Sequence, residues 1–369
     1  MRLGMGRARS IVAAMVAALV ITACGGSAAP GTTAPGTVAP AAAATAAGAA
    51  APVAATAQAK LTVRVGMLSP NLVSVIHFIA KKTGAYEKNN LVIQEKPFSS
   101  GQSTAGTEEL IRGNLDVYIG AGAEVARINS QALDKGDKAP LVVLTGGTPG
   151  VTTFVLRSDV QAKSLDDLKG KPLKIGVSSA SSIHLALFRG SMLDSAKLTT
   201  EQLGWKFVSM QAGDMLTALT TKQIDGFMHS EPTTSLAIQN KVGYVFMNGL
   251  RGDMGPKAKI IPVTFTSANR DWVTKNPEAA RRFMRALKDA NDAYAKMPKA
   301  DMVAIMAEWA KTEVPIVSLA YDRIDPRMDM STEAARAWWD VVGSGMRTRG
   351  ETGDKLKFEG LFDLSYQAK

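Results

Sequence analysis

Residues Ser164–Ala186 read S-L-D-D-L-K-G-K-P-L-K-I-G-V-S-S-A-S-S-I-H-L-A. Ser164 ahead of Leu165-Asp166-Asp167-Leu168 predicts one capped helical turn, closed by Gly170. Leu173–Val177 alternates as a short strand, and Ser178–Ser182 lead into an apolar helical run through Ile183, Ala186 and Leu187. A strand feeding a serine-rich helix start brings hydroxyls and free backbone N–H groups to one point. Such a point suits an anionic or strongly polar ligand atom. The alternative is that the serines only cap the helix.

Upstream, the same alternation recurs. Leu61–Leu68 reads as a strand ending in Ser69-Pro70-Asn71, followed by a helix over Val73–Thr83. Leu91–Glu95, Asp116–Ile119 and Leu141–Leu144 read as further strands with helices between them, and their ends are rich in Gly, Ser, Asn and Gln. This order argues a parallel α/β sheet, whose ligands gather in the loops beyond the strand C-terminal ends. Val151–Leu156 is a strand with no helix before Ser164, which marks a crossing into a second lobe. The pattern then repeats through Trp205–Met210, a helix over Ala212–Thr221, and Gln223–Met228 ending at His229-Ser230-Glu231-Pro232. Ile260–Thr266 reads as a return strand. Asn276-Pro277-Glu278 opens a long helix striped by Ala280, Phe283, Met284, Leu287, Ala290 and Tyr294.

The N-terminus has a basic start with Arg2, Arg7 and Arg9, an apolar run from Ile11 to Ile21, and then Thr22-Ala23-Cys24-Gly25. The run is too short to span a bilayer and reads as a secretory signal over residues 1–23. Cys24 is the one cysteine of the chain, so no internal disulfide can form. Residues 24–59 are almost wholly Ala, Gly, Pro, Thr and Ser, a composition that buries no core and behaves as a tether.

The 369 residues suffice for two ordinary domains, and 43 Lys+Arg against 33 Asp+Glu give a net charge of +10. No Lys/Arg block with interleaved aromatics occurs, which argues against nucleic acid; a modestly basic body can instead draw in small anions. His77, His184 and His229 are the only histidines, and their spacing fits no zinc motif.

Several segments together resemble the substrate-binding proteins of ABC importers in the nitrate, alkanesulfonate and thiamine-precursor family. They are Phe98…Gly101 with Glu109-Leu110-Ile111-Arg112-Gly113-Asn114-Leu115-Asp116-Val117, and Ser164-Leu165-Asp166-Asp167-Leu168-Lys169-Gly170-Lys171. Ile224-Asp225-Gly226-Phe227 with Glu231-Pro232, and Asn276-Pro277-Glu278-Ala279-Ala280-Arg281-Arg282-Phe283, complete them. Ile21-Thr22-Ala23-Cys24 resembles the bacterial lipoprotein cleavage box, which implies lipidation at Cys24 and a body held just off a membrane, in the periplasm or at the outer cell surface.

The resemblance implies an α/β, two-lobed periplasmic binding protein-like fold of type II, with two crossing strands as a hinge and the ligand cleft between lobes. Lobe 1 is expected over 60–150 plus 263–369 and lobe 2 over 151–262. The family's strand-end loops map the ligand contacts onto Ser69, Asn71, Ser100, Gln102, Ala123, Glu124, Ser179, Ser181, Ser182, His229 and Glu231. The implied partners are a small-molecule ligand and an ABC permease with its ATPase, with no cofactor and no metal, for a chain acting as a monomer. A small organic anion is the first expectation for the ligand. A heterocyclic thiamine precursor is the second, because Glu124 and Glu231 in opposing lobes suit ring N–H groups. No arginine lies inside these loops, although Arg127 follows one of them.

Two rival classes stay open. A thiamine-pyrimidine-synthase-like enzyme would need a cysteine-bearing motif, and Cys24 is spent in the leader. A sensor lobe for a membrane kinase would look the same from sequence.

Overall fold

The computed structural model describes residues 59–367 apart from 100–101, 181, 194–195 and 329–330. Cys24 and the tether lie outside the described residues. The ten strands among them are β1 Leu61–Leu68, β2 Leu91–Phe98, β3 Val117–Gly120, β4 Leu141–Gly146, β5 Thr153–Arg157, β6 Lys174–Val177, β7 Lys206–Ser209, β8 Gly226–His229, β9 Gly243–Asn248 and β10 Phe265–Asn269. They form two five-stranded sheets, ordered β2-β1-β3-β10-β4 and β7-β6-β8-β5-β9.

Neither sheet is purely parallel, which corrects the expectation from strand–helix alternation. β10 runs antiparallel to β3 and β4, and β5 runs antiparallel to β8 and β9. These are the two strands that enter one half of the molecule from the other. They arrive at the end where the parallel strands finish, so they run opposite to them. The crossing stretches pair with one another: Gly147 N donates to Thr264 O at 2.7 Å, Val263 N to Thr148 O at 3.1 Å, and Gly150 N to Ile261 O at 3.2 Å. Gly150 has φ +63°, and a Cβ there would lie 2.8 Å from the Lys259 carbonyl, so only glycine fits this bend without strain. Because 261–264 is spent on the crossing, the return strand begins at Phe265 rather than at Ile260.

One device is built twice. Asp116, just before β3, accepts from the Arg64 backbone N–H at 2.8 Å and from its guanidinium at 2.5 Å. Asp225, just before β8, accepts from the Lys174 backbone N–H at 2.8 Å and from the Arg157 guanidinium at 2.9 Å. Each aspartate ties the start of its strand to the parallel neighbour, β1 in one half and β6 in the other. The turn expected at Ser164 is a 3₁₀ turn over Asp166–Leu168. Ser164 does not cap it; instead the Asp167 carboxylate accepts from the N–H groups of Lys163 at 2.7 Å and Ser164 at 2.9 Å, tying down the chain just ahead of the turn.

The first sheet is buried by a large core in which Phe265 meets Trp338 and Phe362 edge to face, with centroids 5.2 Å and 5.5 Å away. Removing the fully enclosed Trp338 side chain would cost about 3–5 kcal/mol. The second sheet packs Phe154 against Phe188 and Trp205 on one face, and Val155, Met215, Leu219 and Phe227 on the other.

The helices that matter for the site are α1 Val75–Lys82, α2 Ala85–Lys88, α3 Ser103–Ile111, α4 Gly122–Asp134 and α5 Ile183–Leu187; α5 continues as a π-helical stretch over Phe188–Leu193. Gly122 opens α4 where a Cβ would sit 1.8 Å from the Phe265 ring, so glycine is required for this helix start to lie flat on the core. No helix among the described residues is long and apolar enough to cross a membrane.

Candidate functional site

Beyond the C-terminal ends of both sheets' parallel strands lies a cavity of about 170 Å³. The first half contributes Asn71 after β1, Ser103 and Thr104 at the start of α3, and Ala121, Ala123, Glu124 and Arg127 at the start of α4. The second half contributes Ser178, Ser179, Ser182 and His184 after β6, Gln211 after β7, and His229 and Ser230 at the end of β8. Val263 and Thr264 of the crossing stretch close its back.

Three helices of nine residues or more begin at this wall: α3, α4 and the helix Ala212–Thr220, whose N-cap is Gln211. Their first N–H groups and dipole ends favour negative charge. Arg127 adds a full positive charge. Its Nε and Nη2 are buried and have no hydrogen-bond partner; the nearest carboxylate oxygen, Oε2 of Glu351, lies 3.6 Å from Nε. Buried N–H donors without a partner are costly until an acceptor completes them. Glu124, one turn earlier on α4, is already engaged, accepting from the Ser103 hydroxyl at 2.6 Å and the Thr104 hydroxyl at 3.3 Å.

Two imidazoles face each other across the second half, His184 and His229, with ring centroids 5.2 Å apart. Burial holds both below the ordinary 6.5, and for His184 the neighbouring His229 adds to the effect. His77 does not join them. It packs in the core of the first half, with Nδ1 2.5 Å from the Tyr86 hydroxyl and Nε2 3.3 Å from Glu95. No group of three His, Cys, Asp or Glu among the described residues could hold a metal ion.

Of the residues expected to contact ligand, Asn71, Ala123, Glu124, Ser179, Ser182 and His229 line the cavity, whereas Ser69, Gln102 and Glu231 do not. Ser100 and Ser181 lie outside the described residues. Ser182 caps α5, its hydroxyl accepting from Leu185 N at 3.3 Å. Ser69 N donates to Phe98 O at 2.8 Å, and the exposed Gln102 accepts from Ser99 N at 3.0 Å. Glu231 is fully enclosed: it accepts from the Arg323 Nε at 2.7 Å and from Ser235 N at 2.9 Å. The opposed pair of carboxylates that would suit a heterocycle is therefore not formed.

Arg127, His184, Ser103, Thr104 and Gln211 were not among the expected contacts. Arg127 was within reach of sequence reasoning, because three residues after Glu124 on a helix is the same face.

A family model matches residues 56–311, more than half of the chain. The chain belongs to the NMT1-like family. This NMT1-like chain is 29% identical over 258 residues to a protein of Brucella abortus (strain 2308) named as a binding protein, covering 69% of this chain and 73% of that one. Among solved structures, the periplasmic aliphatic sulphonate binding protein SsuA from Escherichia coli matches with TM-score 0.64 at 18% identity, covering 84% of this chain and 94% of that one. The periplasmic nitrate-binding protein NrtA from Synechocystis PCC 6803 matches with TM-score 0.63 at 15% identity, covering 83% of this chain and 87% of that one. The fold is the periplasmic binding protein fold.

Proposed function

We propose that this chain is an extracytoplasmic solute-binding protein that captures a small anion between its two halves and delivers it to an ABC importer. The observation that carries this reading is the partly buried Arg127 side chain, its Nε and Nη2 unpartnered among the described residues, lining a cavity where three helix N-termini meet. The names of the relatives and structural neighbours support a binding role rather than catalysis. At about 170 Å³ the cavity is smaller than the 300–1,000 Å³ typical of drug-sized sites, which favours a solute of few heavy atoms. The paired crossing stretches are the hinge about which the halves close. Lipidation at Cys24 would keep the protein beside its permease.

A thermal-shift screen of sulfonates, carboxylates, nitrate and pyrimidines tests the reading. Small anions should raise the melting temperature, and the best of them should shrink the radius of gyration in small-angle scattering. Stabilisation by neutral or cationic heterocycles alone would refute it.

A further inference from the structure

The cavity contains two imidazoles that the Arg127 reading leaves without a task. His184 sits in the first turn of α5 and His229 ends β8, both more than nine-tenths buried. His229 Nδ1 lies 3.3 Å from the Ser230 carbonyl. A carbonyl only accepts, so this contact puts the ring proton on Nδ1 and leaves a lone pair on Nε2. His184 Nδ1 meets the Thr152 hydroxyl at 2.9 Å. Neither Nε2 has a hydrogen-bond partner among the described residues, and both rings line the cavity. A lone pair such as that on His229 Nε2 repels an anion, whereas an imidazolium N–H at the same place donates to it.

We propose that an anion enters this cavity together with one proton, taken up by the His184–His229 pair. The proposal rests on the anion reading of the same cavity. A single proton is expected because a second positive ring 5.2 Å from the first would be opposed by it. The other charged groups facing the pair are few. Glu124 and Arg127 line the cavity from α4, and Glu124 is occupied by two hydroxyls. Glu231, beside Ser230, is turned to Arg323. No carboxylate is hydrogen-bonded to either ring, so the charge that raises their proton affinity is the ligand's own. Burial keeps the empty pair neutral near pH 7. The sign follows. The pair binds a proton more tightly with anion present than without, so affinity falls as pH rises between the two titration points, by about tenfold per pH unit, and is flat outside them.

Calorimetry decides this on the full chain with methanesulfonate, acetate and nitrate as probes, in two buffers of different ionisation enthalpy between pH 5.5 and 8. Expected is a buffer-dependent heat that counts close to one proton per anion, lost in His184→Gln or His229→Gln variants that still bind. Anion binding with equal heats in both buffers and constant affinity across this range would overturn the proton uptake and leave the anion reading standing. No heat with any probe at any pH would overturn both. If the variants do not fold, the proton count of the unaltered protein settles the question alone.

Discussion

Arg127 Nε stands 3.6 Å from Glu351 Oε2, too long for a hydrogen bond, while the other oxygen of Glu351 is held by Arg349 Nε at 2.6 Å. The carboxylate is thus oriented by Arg349 and only partly offsets the charge that Arg127 presents to the cavity. Glu351→Gln should tighten anion binding about twofold to fivefold at low salt, with the gain shrinking as salt screens it. Titrations at two ionic strengths check this; weaker binding would mean that Glu351 instead positions the guanidinium.

Glu231→Gln should act on the fold and not on the ligand. The change removes the charge that Arg323 faces inside the protein, at a cost of about 3 kcal/mol. Chemical denaturation should show the loss, with ligand affinity per folded molecule unchanged. Lost affinity at unaltered stability would place Glu231 in the site after all.

The ligand-free protein should lose stability on mild acidification. Burial holds His77, His184 and His229 below the 6.5 they regain on unfolding. The unfolded chain therefore binds more protons below about pH 6.5, and stability falls as pH drops through that value. Glu95 acts in a separate window. Its contacts with His77 Nε2 at 3.3 Å and the Lys81 ammonium at 2.8 Å draw it from 4.5 to about 2, so its contribution is present above 4.5 and lost between 4.5 and about 2. Urea midpoints at pH 7.5 and 5.5 should differ, the lower pH being less stable. A midpoint that rises at pH 5.5 would contradict the burial of neutral rings.

The anchor has its own test. Full-length protein should partition into the detergent phase, and Cys24→Ala should leave it in the aqueous phase. Equal partitioning of the two would rule out lipidation at Cys24.

Most strand positions and the polar strand ends were legible because alternation and turn residues are local signals, but β9 over Gly243–Asn248 was not read and the return strand was placed early. Local pattern could not show that β5 and β10 reverse direction, since direction depends on which half a strand enters from. The serines after β6 drew attention through composition, and Ser179 and Ser182 do line the cavity. Glu231 misled for a physical reason. A carboxylate at a strand end looks the same in sequence whether it faces ligand or an arginine 92 residues away. Arg127 was not legible as a contact because it lies beyond the strand-end loop, in the second turn of α4.

The central claim is that Arg127 supplies the charge that holds an anion in the cavity. Calorimetric titration of the best-stabilising anion into the unaltered protein, Arg127→Lys and Arg127→Gln tests it most directly. A charge-assisted hydrogen bond of about 1.5–3 kcal/mol predicts an affinity loss of about 10-fold to 150-fold in Arg127→Gln. Only partial recovery is expected in Arg127→Lys, whose ammonium cannot reproduce the planar fork. The ligand-free Arg127→Gln protein should melt no lower than the unaltered one, because the unpartnered donors are removed. Equal affinity in all three would contradict the account.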